Sequence, residues 1–151
     1  MSDGYLLGVD IGTYESKGVI TTLDGKVVNV QVKPHTMLIP RQGWAEHDPE
    51  GVWWGDFCAI TRALLQETGI DPKAILAVGC SAIGPCMLPV DREGNPLRMG
   101  VLYGIDTRAT AEIVFLEQKY GKQTLFEQTG NELSRSEEHT SELQSRHVNS
   151  Y

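Results

Sequence analysis

Three β-prone segments separated by tight turns open the chain, and no other feature limits its fold so strongly. Tyr5 to Ile11 (YLLGVDI) is a short apolar run suited to a buried strand. Lys17 to Leu23 (KGVITTL) is a second strand, and Asp24-Gly25 is a two-residue hairpin signal whose central positions both favour positive φ. Lys26 to Val32 (KVVNVQV) alternates apolar and polar residues and returns as a third strand. A second strand, not a helix, follows the first turn. The spacing predicts a three-stranded antiparallel meander.

From Lys33 to His47 the pattern breaks into a loop containing Pro34, Pro40 and Gly43. Asp48-Pro49 then reads as an N-cap followed by proline at the first helical position. Trp53, Phe57, Ile60, Leu64 and Leu65 recur at helical spacing, and Gly69 supplies the stop. Ile75 to Ser81 (ILAVGCS) is continuously apolar, as expected of a strand covered on both faces. Met87–Val90 and Leu97–Tyr103 flank the turn Asp91-Arg92-Glu93-Gly94 and predict a hairpin. A second helix is predicted to start near Asp106-Thr107, carry Ile113, Leu116 and Tyr120 on one face, and end at Gly121. The order implies an α/β domain with a mixed sheet.

With 151 residues the chain is long enough for one domain and short for two. A net charge of −7 argues against nucleic acid, which would call for a basic stripe. It does not exclude a phosphorylated ligand, since backbone N–H groups and a metal ion supply a local positive field. No segment is apolar for long enough to span a bilayer, and the opening residues lack the pattern of a signal peptide. Cys58, Cys80 and Cys86 form no C-x-x-C pair and leave an odd thiol, which fits reduced cysteines in a cytoplasmic protein. The four histidines are scattered, so no zinc site is expected. Composition does not reveal the oligomeric state.

The segment Gly8-Val9-Asp10-Ile11-Gly12-Thr13-Tyr14-Glu15-Ser16-Lys17-Gly18 carries the first candidate chemistry. It is neither a P-loop nor a dinucleotide fingerprint, because both glycine spacings are absent and a strand follows. Gly12 lets backbone amides approach an anion closely. The Thr13 and Ser16 hydroxyls can donate to phosphate oxygens, and Lys17 adds a point charge. Asp10 is placed to hold Mg²⁺ through water. Taken alone, the same residues also suit a capped tight turn with a solvated lysine.

GVDIGTYESKGVI followed by the D-G turn resembles the first phosphate motif of the actin-like ATPases, and most closely that of the FGGY carbohydrate kinases such as xylulokinases. Gly43-Trp44-Ala45-Glu46-His47-Asp48-Pro49 resembles the W-x-E-x-D-P element of that family. Ala77–Ala82 with Leu88–Asp91 resembles the strand and hairpin that border its sugar pocket. Val101–Arg108 resembles its W-x-D-x-R element. The resemblance implies an incomplete N-terminal domain of actin-like (ribonuclease-H-like) fold over residues 1–134. It implies ATP and Mg²⁺ as cofactors and a small-molecule sugar or polyol as substrate, with the γ-phosphoryl transferred to a hydroxyl. Gly12, Thr13, Ser16 and Lys17 would bind phosphate, Asp10 the metal, and Tyr103, Asp106, Arg108 and Gly84 the sugar.

Gly84 and Pro85 replace the Met-His pair of xylulokinases, and Tyr103 stands where the family often has Trp, which implies a sugar read differently from xylulose. The alternative for these positions is that Asp106 only caps the following helix, with Arg108 a solvated first-turn residue. The family's catalytic base, second phosphate motif and adenosine pocket are expected beyond this chain, so the chain alone is expected to be inactive. Residues 135–151 contain RSEEHTSELQS, which resembles the translation of a sequencing-library adaptor; a non-native, disordered tail is expected there. The reading from a different class is a non-catalytic actin-like nucleotide-binding or assembly module. It would share the Asp10–Lys17 hairpin but has no need of the Trp44–Pro49 and Tyr103–Arg108 elements.

Overall fold

The computed structural model describes residues 4–84 and 86–133; the expected tail at 135–151 and the Pro85 position lie outside the described residues. The predicted meander is present as β1 (Tyr5–Ile11), β2 (Glu15–Thr22) and β3 (Val27–Pro34), each antiparallel to the next. The second turn differs from the two-residue form expected. Thr22 N donates to Lys26 O at 2.9 Å and Gly25 N to Thr22 O at 3.0 Å, so Leu23, Asp24 and Gly25 all lie in the loop. Only Gly25 takes positive φ (86°). A glycine in the left-handed region after a tight turn makes a three-residue connection with a bulge, and the register slips between Ile20 and Thr21.

The loop from His35 carries β4 (Glu46–His47) and leads into the helix. Asp48 caps its start by accepting from Glu50 N, and Pro49 occupies the first position. The first turn, Pro49–Trp54, is wide, with Trp53 N reaching back to Asp48 O at 3.4 Å. Regular helix α1 runs Gly55–Thr68 and ends at Gly69, whose φ of 67° is the left-handed cap expected. Side chains alternate along β1 and β2, so Leu7, Val9 and Ile20 face α1 and form the core with Ile60 and Leu64. Gly18 sits under the helix. A Cβ there would run into Ile60 and Leu64, so glycine sets how closely α1 approaches the sheet.

After a short 3₁₀ turn at Pro72–Ala74, β5 (Ile75–Ala82) joins β1 in parallel, giving the mixed order β3-β2-β1-β5. The expectation that β5 is covered on both faces fails. Leu76 is 59% and Val78 53% exposed. The reason is where α1 lies: it crosses β1, β2 and β3, and of β5 only Ile75 packs against the core beneath it.

The hairpin expected around residues 91–94 is present only as isolated bridges, Met87 to Val101 and Val90 to Pro96. Pro89 and Pro96 have no N–H to extend a ladder. The Asp91 carboxylate accepts from Glu93 N and Asn95 N instead. Only β6 (Gly100–Val101) forms a ladder, antiparallel to β4. Helix α2 starts at Thr110, not at Asp106-Thr107, because Asp106 is engaged elsewhere; it stops before Gly121 as expected. Helix α3 (Lys122–Thr129) follows, without an expectation from the sequence. Among the described residues no helix is long and apolar enough to cross a membrane.

Candidate functional site

Because β1 and β5 are parallel, their C-terminal ends lie at one edge of the sheet, where Ile83 N donates to Ile11 O at 2.8 Å. Such an edge is the usual place for ligands in open α/β sheets. The β1–β2 turn projects from it. Gly12 N closes the turn onto Glu15 O at 3.0 Å, and a Cβ on Gly12 would stand 2.9 Å from that oxygen. Gly12 therefore shapes the turn, and its own amide is already used. Among the described residues the N–H groups of Thr13 and Tyr14 have no acceptor, leaving two consecutive donors at the tip.

Asp10 lies on the sheet face opposite α1, in register with Lys17 on one side and Ser81 on the other. Its carboxylate is exposed and makes no ion pair among the described residues. Lys17 Nζ is 2.7 Å from Glu15 Oε1, and that hydrogen bond raises the lysine pKa. A single carboxylate at a strand end, next to free amides, fits Mg²⁺, which keeps most of its waters and takes one or two carboxylates. Among the described residues no three His, Cys, Asp or Glu side chains form a metal cage.

Ser16 does not join this group. It is fully buried on the α1 side, where its Oγ donates to Asp56 Oδ2 at 2.8 Å. Alternation along β2 turns Ser16 inward whenever Lys17 faces out.

Beneath the turn lies a polar cluster. Asp56, fully buried at the start of α1, holds Lys33, Ser16 and His35. Burial alone would raise its carboxyl pKa, but the hydrogen bonds from Lys33, Ser16 and His35 outweigh it and hold the group below its ordinary value. His35 stands between Asp56 Oδ2 (2.8 Å from Nδ1) and the Gly12 carbonyl (3.1 Å from Nε2). His47 is fully buried beside it, ring centroids 4.9 Å apart. Trp53 Nε1–H donates to His47 Nδ1 at 3.1 Å, so Nε2 carries the proton and donates to the Thr13 carbonyl at 3.0 Å. Burial lowers the His47 pKa, which keeps the ring neutral.

The second half of the site is a wall from residues 101–110 packed against Trp44, with a cleft that Trp44, Tyr103, Asp106 and Arg108 help to line. The Arg108 guanidinium lies 3.9 Å from the Trp44 ring centroid. Its Nη2 is 2.6 Å from Asp106 Oδ2 and 2.9 Å from Glu46 Oε1, and Arg98 reaches the same Glu46 oxygen at 2.8 Å. Asp106 also accepts from Ala45 N at 2.7 Å and Arg108 N at 3.0 Å. Burial pushes Asp106 up, but the Arg108 and backbone hydrogen bonds outweigh it and lower its pKa. Asp106 therefore caps no helix: it fixes Arg108, whose side chain is only 15% exposed. Tyr103 remains half exposed. Gly84 is exposed in the loop after β5 and does not line this cleft.

The model of the N-terminal domain of the FGGY family of carbohydrate kinases matches residues 5–140, running past the boundary expected at residue 134. The chain belongs to that family. Similar proteins include a glycerol kinase from Chromobacterium violaceum, 32% identical over 113 residues, which cover 74% of this chain and 22% of the relative. Among solved structures, xylulose kinase from Rhodospirillum rubrum superposes with a TM-score of 0.75 at 27% identity, over 87% of this chain and 27% of that one. Gluconate kinase from Lactobacillus acidophilus gives 0.72 at 25% identity, over 83% and 25%. The chain therefore spans about a quarter of the relatives it matches. Its fold is that of the N-terminal part of these sugar kinases, the mixed α/β architecture expected.

Sequence reasoning named Asp10, Gly12, Thr13 and Lys17 in one turn and Tyr103, Asp106 and Arg108 in one wall, and each set is local in space. It missed His35, His47, Asp56 and Trp44. Trp44 and His47 stood within the W-A-E-H-D-P run, which resembles a family element and was assigned no chemistry, and His35 and Asp56 left no trace.

Proposed function

We propose that this domain supplies the phosphate turn and part of the carbohydrate wall of an ATP-dependent kinase that phosphorylates a sugar or polyol hydroxyl. The observation that carries this reading is that, among the described residues, the Thr13 and Tyr14 amides have no acceptor and the nearby Asp10 carboxylate has no ion-pair partner. Phosphate oxygens would take the Thr13 and Tyr14 N–H groups and the Thr13 hydroxyl, with Lys17 adding positive charge. Bound Mg²⁺ would neutralise phosphate charge, and Asp10 would hold it through water. Tyr103, Arg108 and Trp44 would form the apolar and cationic side against which a polyol chain lies.

The proton of the attacking hydroxyl needs an acceptor. Glu46 and Asp106, the carboxylates of the wall, are both held by Arg108. Glu112 also lines the cleft and is not held by Arg108; the acceptor is assigned outside the described residues because the family resemblance implies it, and the chain alone is expected to show no turnover. The relatives act on glycerol, xylulose and gluconate by name, so the substrate class is a polyhydroxylated small molecule. The free thiols of Cys58, Cys80 and Cys86 suit a cytoplasmic setting.

The test uses a protein of the relatives' length that carries this domain, with Mg·ATP and a panel of sugars and polyols. Asp10→Ala should lower kcat by at least ~100-fold while the carbohydrate KM stays within about two-fold, because the carboxylate serves the phosphate end. An unchanged kcat with a raised carbohydrate KM would refute the assignment.

A further inference from the structure

Residues Glu46 and His47 are adjacent in β4, and their side chains reach opposite halves of the site. The Glu46 carboxylate binds Arg98 and Arg108 of the wall. The His47 imidazole holds the Thr13 carbonyl of the turn. Both side chains are buried. The two-residue strand is itself fixed, by its ladder to β6 on one edge and by the backbone pair Leu38 N to Glu46 O and Glu46 N to Leu38 O on the other. Period-two alternation explains why neighbours in sequence point to separate half-sites.

We propose that His47 is a positioning residue for the phosphate turn, and that β4 sets this turn in register with the Tyr103–Arg108 wall. This rests on the phosphate-binding reading of the turn given above. A peptide unit places its C=O and the next N–H on opposite sides. Drawing the Thr13 carbonyl down onto His47 Nε2–H turns the Tyr14 N–H outward. The Gly12 carbonyl, held by His35, does the same for the Thr13 N–H. The imidazoles thus aim the two free donors without touching the anion. Trp53 fixes the His47 tautomer, because the indole can only donate and so leaves Nε2 as the protonated nitrogen. A ring with its proton on Nδ1 would face the Thr13 oxygen with a lone pair and release it.

The experiment uses the 151-residue chain and inorganic tripolyphosphate as probe, read by amide and imidazole ¹⁵N spectra. In the unaltered protein His47 should be neutral and protonated at Nε2, and tripolyphosphate should shift the Thr13 and Tyr14 amides. His47→Leu should weaken that binding about ten-fold, the size of one lost hydrogen bond. His47→Gln, whose side-chain amide can donate from near the Nε2 position, should bring it back to within about two-fold. Absence of any Thr13 or Tyr14 shift in the unaltered protein would overturn the phosphate reading, and this inference with it. Normal shifts in the unaltered protein combined with equal affinity in His47→Leu would overturn the inference alone. Should His47→Leu fail to fold, the tautomer still decides: a proton on Nδ1 contradicts the proposal.

Discussion

The two faces of the central sheet are built from similar residues and have opposite surroundings. On one face Leu7, Val9 and Ile20 lie under α1, with Ile60 and Leu64 closing the core. The other face, and β5 beyond Ile75, stay open, although Leu76, Val78, Val30 and Val32 are as apolar as the core residues. Glycines mark both faces for different reasons. Gly18 admits the helix, whereas Gly8 and Gly79 meet across the β1–β5 pair and leave a shallow groove beside Asp10. The comparison teaches that apolar composition decides that a strand seeks cover, while the crossover path decides which strands receive it.

The contrast should appear first in stability. Leu64→Ala removes a fully buried side chain from the covered face and should cost ~2–5 kcal/mol in urea unfolding. Val78→Ala on the open strand should change stability by no more than about 0.5 kcal/mol. Similar losses for both would mean that β5 is covered in solution, and the comparison would break.

A smaller effect should follow pH. The folded His47 pKa lies below its ordinary 6.5, so the unfolded chain takes up this proton first. Stability should therefore be full above about pH 6.5 and decline as pH falls through the folded value. Asp56, also depressed, adds a second loss as pH drops below its ordinary 3.8. The His47 part should vanish in His47→Gln, while the Asp56 part remains. A stability profile that rises on acidification between pH 7 and 5 would contradict the neutral buried ring.

The smallest effect concerns the tail. Residues 135–151 carry a sequence expected to be non-native, and their deletion should leave the thermal midpoint within error. A clear drop would mark them as part of the domain.

What could be read from the sequence was local. The meander rests on consecutive apolar runs, the helix start on Asp48-Pro49, and its end on Gly69, all signals carried within a few residues. Asp10, Gly12, Thr13 and Lys17 were visible for the same reason. The cluster beneath them was not, since His47 meets Thr13 across 34 positions and Ser16 meets Asp56 across 40. No periodicity encodes such a meeting. Ser16 was misplaced because its hydroxyl suits an anion, whereas strand alternation sends it inward. Asp106 and its neighbour Arg108 were legible as a pair, but the hold of Asp106 on Ala45 N, 61 positions away, is tertiary.

The central claim is that the Gly12–Tyr14 turn takes phosphate and the Tyr103–Arg108 wall takes carbohydrate, as two separable half-sites. Mapping amide shifts in the 151-residue chain, first with Mg·ATP and then with a polyol alone, tests it most directly. The account predicts that Mg·ATP moves Thr13, Tyr14 and Lys17 and leaves residues 103–108 in place, with the polyol doing the reverse. Shifts from Mg·ATP gathered at Tyr103 and Arg108, with Thr13 and Tyr14 unmoved, would contradict it.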